Sequence, residues 1–156
     1  MSMGLALAIL GAAIATCAGI GSAIGVGIAG EAADGVMAGG NTSFGSTLVL
    51  QALPGTQGIY GMVIAVMILT KVGVLGGSGF NLTLEQGVAF LVAGIPVGIV
   101  GILSAIAQGK VSATGIMLVS KGGSLGNAII YAVMVETYAI LAFIVSFLMY
   151  NGISVG

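Results

Sequence analysis

Residues 132–147 read AVMVETYAILAFIVSF, an apolar run with one carboxylate, Glu136, set into it. The chain carries only four acidic residues in total. A carboxylate at the centre of a membrane-spanning helix costs about 2.5–3.5 kcal/mol on insertion scales, so one kept there is a candidate for ion or proton chemistry. Lys71, Lys110 and Lys121 are the only basic residues, and there is no histidine. Of these only Lys110 could neutralise Glu136 from within a helix bundle. It lies two positions from Gln108, on a different helix face and nearer the 120–124 segment, which suits a side chain snorkelling to the interface. Glu136 is therefore expected either to be protonated or to hold a cation.

Three more polar side chains bear on that choice: Thr56, Gln57 and Gln108. A proton needs only the carboxyl and one acceptor, whereas a hard cation needs several oxygens. Pro54 could add another oxygen. Inside a helix it removes one backbone hydrogen bond and frees the carbonyl of Leu50, and glycines 55, 58 and 61 permit local unwinding. Taken singly, each polar side chain could be an ordinary interhelical hydrogen bond, and Pro54 a packing kink like Pro96. Taken together they supply more oxygens than a proton requires, and the balance favours Na+ over H+.

The elements that must position these groups follow from hydrophobic length and breakers. Helix 1 is expected over 3–37, helix 2 over 44–73, helix 3 over 84–119 and helix 4 over 125–151. The breaks are AGGNTS (38–43), GVLGGSGFNLT (73–83) and SKGGS (120–124). Ser43 and Ser124 are expected N-caps, and Thr83 with Gln86 reads as a capping box with Glu85 near the positive end of the helix dipole. Gln108 and Glu136 lie equally far from the 120–124 break, and Thr56 and Gln57 lie about as far past the 38–43 break. At about 1.5 Å per residue all four fall within roughly 3 Å of one level.

The two halves repeat. Gly19 to Gly27 (GIGSAIGVG) aligns with Gly101 to Gly109 (GILSAIAQG) at an offset of 82. At an offset of 81, Ser43 meets Ser124, Gly45 meets Gly126 and Thr56 meets Thr137. The chain thus reads as one membrane domain, 1–156, built of two tandem helical hairpins, 3–73 and 84–151. Two parallel hairpins place both chain ends and the 73–83 break on one side of the membrane. The repeat fails where it matters most: Glu136 aligns with Gly55, and Gln108 with Val26. Two hairpins share one carboxylate. Small residues recur at every fourth position, Gly19-Ala23-Gly27 in helix 1 and Gly101-Ala105-Gly109 in helix 3, and are expected to let these two helices pack closely.

With 58% hydrophobic and 4% charged residues, the chain is an integral membrane protein. A net charge of −1 resting on seven residues gives no reason to expect nucleic acid as a partner. The absence of histidine rules out a histidine metal site, and Cys17 is expected to be a buried, inert thiol. The N-terminal MSMGLALAIL lacks a basic region, so helix 1 is expected to stay in the mature protein. Ser104 to Val111 (SAIAQGKV) has the wrong glycine spacing for a phosphate loop and lies within a helix. Lys110 and Lys121 against Lys71 favour a cytoplasmic side for the 38–43 and 120–124 loops.

At LPGTQGIYG (53–61), AQGKV (107–111) and MVETYAIL (134–141) the chain resembles the duplicated proteolipid of V/A-type rotary ATPases, most nearly the bacterial sodium-transporting members. The resemblance covers essentially the whole chain. It implies an all-α homo-oligomeric ring in the cell membrane, with helices 1 and 3 inside and helices 2 and 4 facing lipid. It also implies a non-catalytic role: the ring turns against a stator subunit bearing an arginine, and central-stalk subunits link it to a soluble ATPase head. The ion ligands it implies are Glu136, Gln108, Gln57, Thr56 and the backbone carbonyl of Leu53, where proline geometry points to Leu50. Tyr60 would hydrogen-bond the glutamate and hold the site shut. No cofactor is implied, only a transported ion, Na+ or H+. Two rivals fit less well. A small four-helix secondary transporter is expected to keep its carboxylate in the first helix and to use aromatics such as Trp, absent here; a structural proteolipid leaves Glu136 unexplained.

Overall fold

The computed structural model describes residues 2–40, 42–77 and 81–155. Asn41 in the first predicted break and residues 78–80 in the second lie outside the described residues. Four helices run α1 (Met3–Ala38), α2 (Phe44–Lys71), α3 (Leu84–Ser120) and α4 (Leu125–Asn151), and no strand occurs among the described residues. The shortest has 27 residues. At about 1.5 Å per residue that exceeds the ~30 Å hydrocarbon core, so every helix is long enough to span it.

Each helix begins on a hydroxyl cap that satisfies an otherwise orphaned N–H. Ser2 accepts from Leu5 N at 3.2 Å, Ser43 from Ser46 N at 3.4 Å and Ser124 from Asn127 N at 3.4 Å. Thr83 and Gln86 form the complete capping box, with Glu85 in the first turn. Glycine sets two of the ends. Beyond α2, Gly73 at φ 74° returns its N–H to Thr70 while Val74 N reaches Leu69; beyond α3, Gly122 at φ 87° and Gly123 do the same to Val119 and Leu118. These are Schellman closures, which need a left-handed residue that glycine adopts without strain. The first of them ends α2 at Lys71 instead of the expected 73.

α3 is the hub, and glycine lets α1 reach it. A Cβ on Gly87, Gly94 or Gly109 would strike the backbone of Gly4, Gly11 or Gly25 respectively. Contacts rising together along both helices make α1 and α3 parallel. α2 returns antiparallel to α1, with Gly61 on the backbone of Ala15 and Gly58 beside Ser22 and Gly19. α4 returns antiparallel to α3: Gly115 faces Ala128, Val97 N donates to Ser146 Oγ at 3.1 Å, and the Phe90 and Tyr150 rings lie 6.4 Å apart. Ser2, Val155 and the described residues flanking the second break, 73–77 and 81–83, therefore share one end of the bundle. There Lys71 Nζ donates to Tyr150 O at 2.9 Å and sits 4.3 Å from that ring, and Gln86 reaches Ser154 O at 2.9 Å. The Lys71 ammonium thus offsets the negative end of the α4 dipole.

Two expectations need correction. In α3, Gly101, Ala105 and Gly109 are buried, and Gly101 and Gly109 face Ala18 and Gly25. In α1, however, the face against α3 carries Gly4, Gly11, Gly21 and Gly25, not Gly19, Ala23 and Gly27. A Cβ on Gly19 or Gly27 would meet nothing among the described residues, although the Gly19 backbone lies beside Gly58, and Ala23 is exposed. Two residues are about 200° of helix rotation, so the expected stripe points nearly opposite to the contacting one. Cys17 is half-buried, not buried, and its Sγ approaches Ala13 O at 3.5 Å. It sits in a one-residue interruption of α1, where Cys17 N donates to Ile14 O and Ile20 N to Cys17 O in tightened i→i−3 bonds.

Candidate ion-binding site

Pro54 acts locally first. Leu53–Gly55 form a 3₁₀ turn inside α2, and Thr56 N closes back onto Leu53 O. Thr56 Oγ1 donates to the same carbonyl at 3.0 Å and lies 3.3 Å from Gln57 Oε1. The tightened turn thereby gathers Leu53 O, Thr56 Oγ1 and Gln57 Oε1 in a few residues of chain. Gly58 N, just past the turn, finds Ser22 Oγ of α1 at 2.8 Å. A serine on a neighbouring helix similarly accepts from Val97 N, next to Pro96. Each proline thus lies beside a backbone donor taken up by a hydroxyl from across the bundle, as buried N–H groups require.

Glu136 projects from α4 toward this turn and is 7% exposed. Tyr60, one turn beyond Thr56, donates its hydroxyl to Oε1 at 2.6 Å, and Gln108 Nε2 donates to Oε2 at 3.3 Å. Gln57 Nε2 donates to Gln108 Oε1 at 2.5 Å and to Ser104 Oγ at 3.4 Å. Gln57 and Gln108 are both fully buried, whereas Thr56 and Tyr60 are half-buried. The six groups singled out from the sequence (Leu53, Thr56, Gln57, Tyr60, Gln108 and Glu136) therefore form one hydrogen-bonded network across three helices. The Leu50 side chain packs in an apolar cluster with Ala29, Ile116 and Ala128.

Two serines were missed. Ser104 accepts from Gln57 and donates to Val135 O at 3.1 Å, fastening the α4 backbone beside Glu136 to α3. Ser22 holds the backbone of the proline turn. A signal was present: Ser22 and Ser104 are matched residues of the repeat, at the offset of 82.

Among the described residues no ion pair reaches Glu136, Lys110 is exposed, and no cluster of three His, Cys, Asp or Glu side chains exists. One carboxylate with neutral amide, hydroxyl and carbonyl oxygens carries a single negative charge. That matches a monovalent hard cation or a proton, and not a thiol- or imidazole-seeking metal.

Comparison with known proteins gives concordant matches. The family model for the C subunit of ATP synthase matches twice, over residues 10–68 and 91–149. The chain is 47% identical over 148 residues to the V-type sodium ATPase subunit K of Enterococcus hirae, covering 94% of this chain and 91% of that protein. It is 37% identical over 154 residues to the A-type ATP synthase subunit K of Methanocaldococcus jannaschii, covering 97% of this chain and 65% of that one.

Proposed function

The chain belongs to the family of ATP synthase C subunits, and we propose on that basis that its copies form a membrane rotor ring that binds Na+ at Glu136 and carries it across the bilayer. The observation that carries this reading is the buried carboxylate held by Tyr60 and Gln108 and surrounded by Gln57, Thr56 and the Leu53 carbonyl. The sodium ATPase named for the Enterococcus hirae relative supports the choice of ion.

Glu136 is the charge that travels with the cation. Gln108, Gln57, Thr56 and Leu53 replace the water that a cation sheds on entering the membrane. Tyr60 bridges α2 to the carboxylate and closes the site while it faces lipid. Removal of the ion falls to an arginine on a stator subunit, and central-stalk subunits link rotation to ATP hydrolysis or synthesis on a soluble head. The chain itself is not the catalyst. The bacterial plasma membrane is its location in this reading, with the two hairpins, 3–73 and 84–151, as the repeated units. The exposed part of the stripe, Ala23 and Gly27, then packs α1 against the next copy, while Gly19 is half-buried beside Gly58 of α2.

The test is Na+ binding to the purified ring. A carbodiimide reacts with protonated carboxyls, so Na+ should protect Glu136 from it, and labelling indifferent to Na+ at every pH would make this a proton ring.

A further inference from the structure

Lys110 and Glu31 carry opposite charges on membrane-spanning helices, α3 and α1, and both are exposed within the chain. Lys110 lies two residues from Gln108, about 3 Å along the axis from the level of the ion site. An ionisable group at such depth is normally paired or faces water, because an unpaired charge in the hydrocarbon region is costly. Lys110 also lies off the face of α3 that meets α1 of its own chain. Ala105 and Gly109 pack there against Gly25 and are buried, whereas Leu103, Ala107 and Lys110 are exposed.

The repeat shows what covers that exposed face. Gly25 of α1 packs between Ala105 and Gly109 of α3, and Gly11 packs between Phe90 and Gly94. An α1 residue is thus level with the α3 residue 81 or 82 positions later, which is also the spacing of the sequence repeat. The step that carries the first hairpin onto the second therefore has almost no rise along the bundle. Repeated from copy to copy, a rotation without rise closes a ring, whereas a rise would build an open helix. In that ring α1 of the next copy packs on α3 as α3 packs on α1. Both faces of the new seam then follow from the old one. Ala105 and Gly109 correspond to Ala23 and Gly27, and the next position of that stripe, four residues on, is Glu31 where α3 has Ala113. Gly21 and Gly25, which meet α3, correspond to exposed Leu103 and Ala107, and the next position of that stripe, three residues on, is Lys110 where α1 has Ile28. Ile28 and Ala113 are both half-buried. Between copies the same two places hold a cation and an anion.

We infer that Lys110 of each copy pairs with Glu31 of the next, so that one salt bridge at every seam joins neighbouring copies and neutralises the ammonium near the ion site. The inference rests on the ring reading. Lys110 is level with Ile28 of the next copy, and Glu31 there stands about 4.5 Å further toward the end that carries the 120–124 loop. A lysine stem extended toward that end spans the difference. Asp34 is about 9 Å from the level of Lys110, so Glu31 is the acid in reach.

The experiment treats the purified ring with a membrane-permeant carbodiimide, which joins a carboxylate to an amine in contact with it as an amide, and then denatures it. The parent should give a ladder of linked copies on a denaturing gel, with a Lys110–Glu31 linkage in the digested peptides. Lys110→Met and Glu31→Gln should each remove the ladder, and Asp34→Asn should keep it. Lys110→Glu sets two carboxylates against each other, so the ring should dissociate at a lower temperature than the parent's, and adding Glu31→Lys should restore it. A ladder that survives Lys110→Met, a Lys110–Glu31 link confined to single chains, or a Lys110→Glu ring as heat-resistant as the parent's would overturn the pair while leaving the ring and the Glu136 site standing. A parent that forms no ring would overturn both readings.

Discussion

Replacing Gln108 with valine separates the groups that hold Glu136 in place from those that hold its ion. Val26 occupies the matching position of the first hairpin, so the change restores a residue the repeat already accommodates at this depth. In the structure Gln108 makes two hydrogen bonds that valine cannot: it accepts from Gln57 Nε2 and donates to Glu136 Oε2 at 3.3 Å. A hydrogen bond present with and without the ion cancels in the binding equilibrium, so neither sets the change in Na+ affinity. What does not cancel is the amide oxygen lost as a ligand, in a fully buried position where the valine methyls keep water from replacing it. Taking a bond to a charged group as the scale, that loss is about 1.5–3 kcal/mol, or roughly 10- to 150-fold more Na+ for half-protection. The assay is carbodiimide labelling of the intact variant ring across a Na+ titration at fixed pH. Labelling without Na+ should persist, because Glu136 and Tyr60 are untouched. An intact ring whose Na+ requirement moves by less than about threefold would refute Gln108 as a ligand. The same variant leaves the buried Gln57 amide with only Ser104 at 3.4 Å, so its thermal stability should also fall by about 1–3 kcal/mol.

Glu136→Gln should leave the ring assembled, because the amide fills the same space without a charge, and should abolish ion-coupled transport; residual Na+ or H+ movement would sink the central assignment. Gly109→Leu places a side chain against the Gly25 backbone and should prevent a folded chain, whereas leucine at exposed Val145 should be neutral by detergent-gel mobility. Gly27 is exposed and a Cβ there meets nothing among the described residues, so with Gly27→Leu the monomer should fold while the ring fails to form; a normal ring would remove Gly27 from the subunit interface. Na+ and H+ compete for one carboxylate, so wherever Glu136 is mostly protonated each unit of lower pH should demand about tenfold more Na+ for half-protection. A pH-independent requirement would show that the labelled carboxyl is not the Na+ ligand.

The spans, most caps and the grouping of the main polar residues were legible in the order of residues alone. Membrane thickness dictates helix length, and hydroxyl caps and glycine stops are local, so Ser43, Thr83, Gly122 and Ser124 could be read one at a time. Glu136 stood out because an apolar medium makes a carboxylate costly, and equal distances from the breaks brought Gln57, Thr56 and Gln108 to its level. Which way each helix turns about its own axis came only from packing. Two faces of α1 are rich in small residues, and it takes the folded bundle to show that Gly21 and Gly25 meet α3 while Ala23 and Gly27 face away. Rotation likewise decides that Ser22 and Ser104 join the network and that Ser112 is buried with no partner among the described residues, since a serine in an apolar helix looks the same in sequence whichever neighbour it meets. Depth follows from counting residues from a break. Facing follows from close approach between helices, which depends on every small residue along the contact at once.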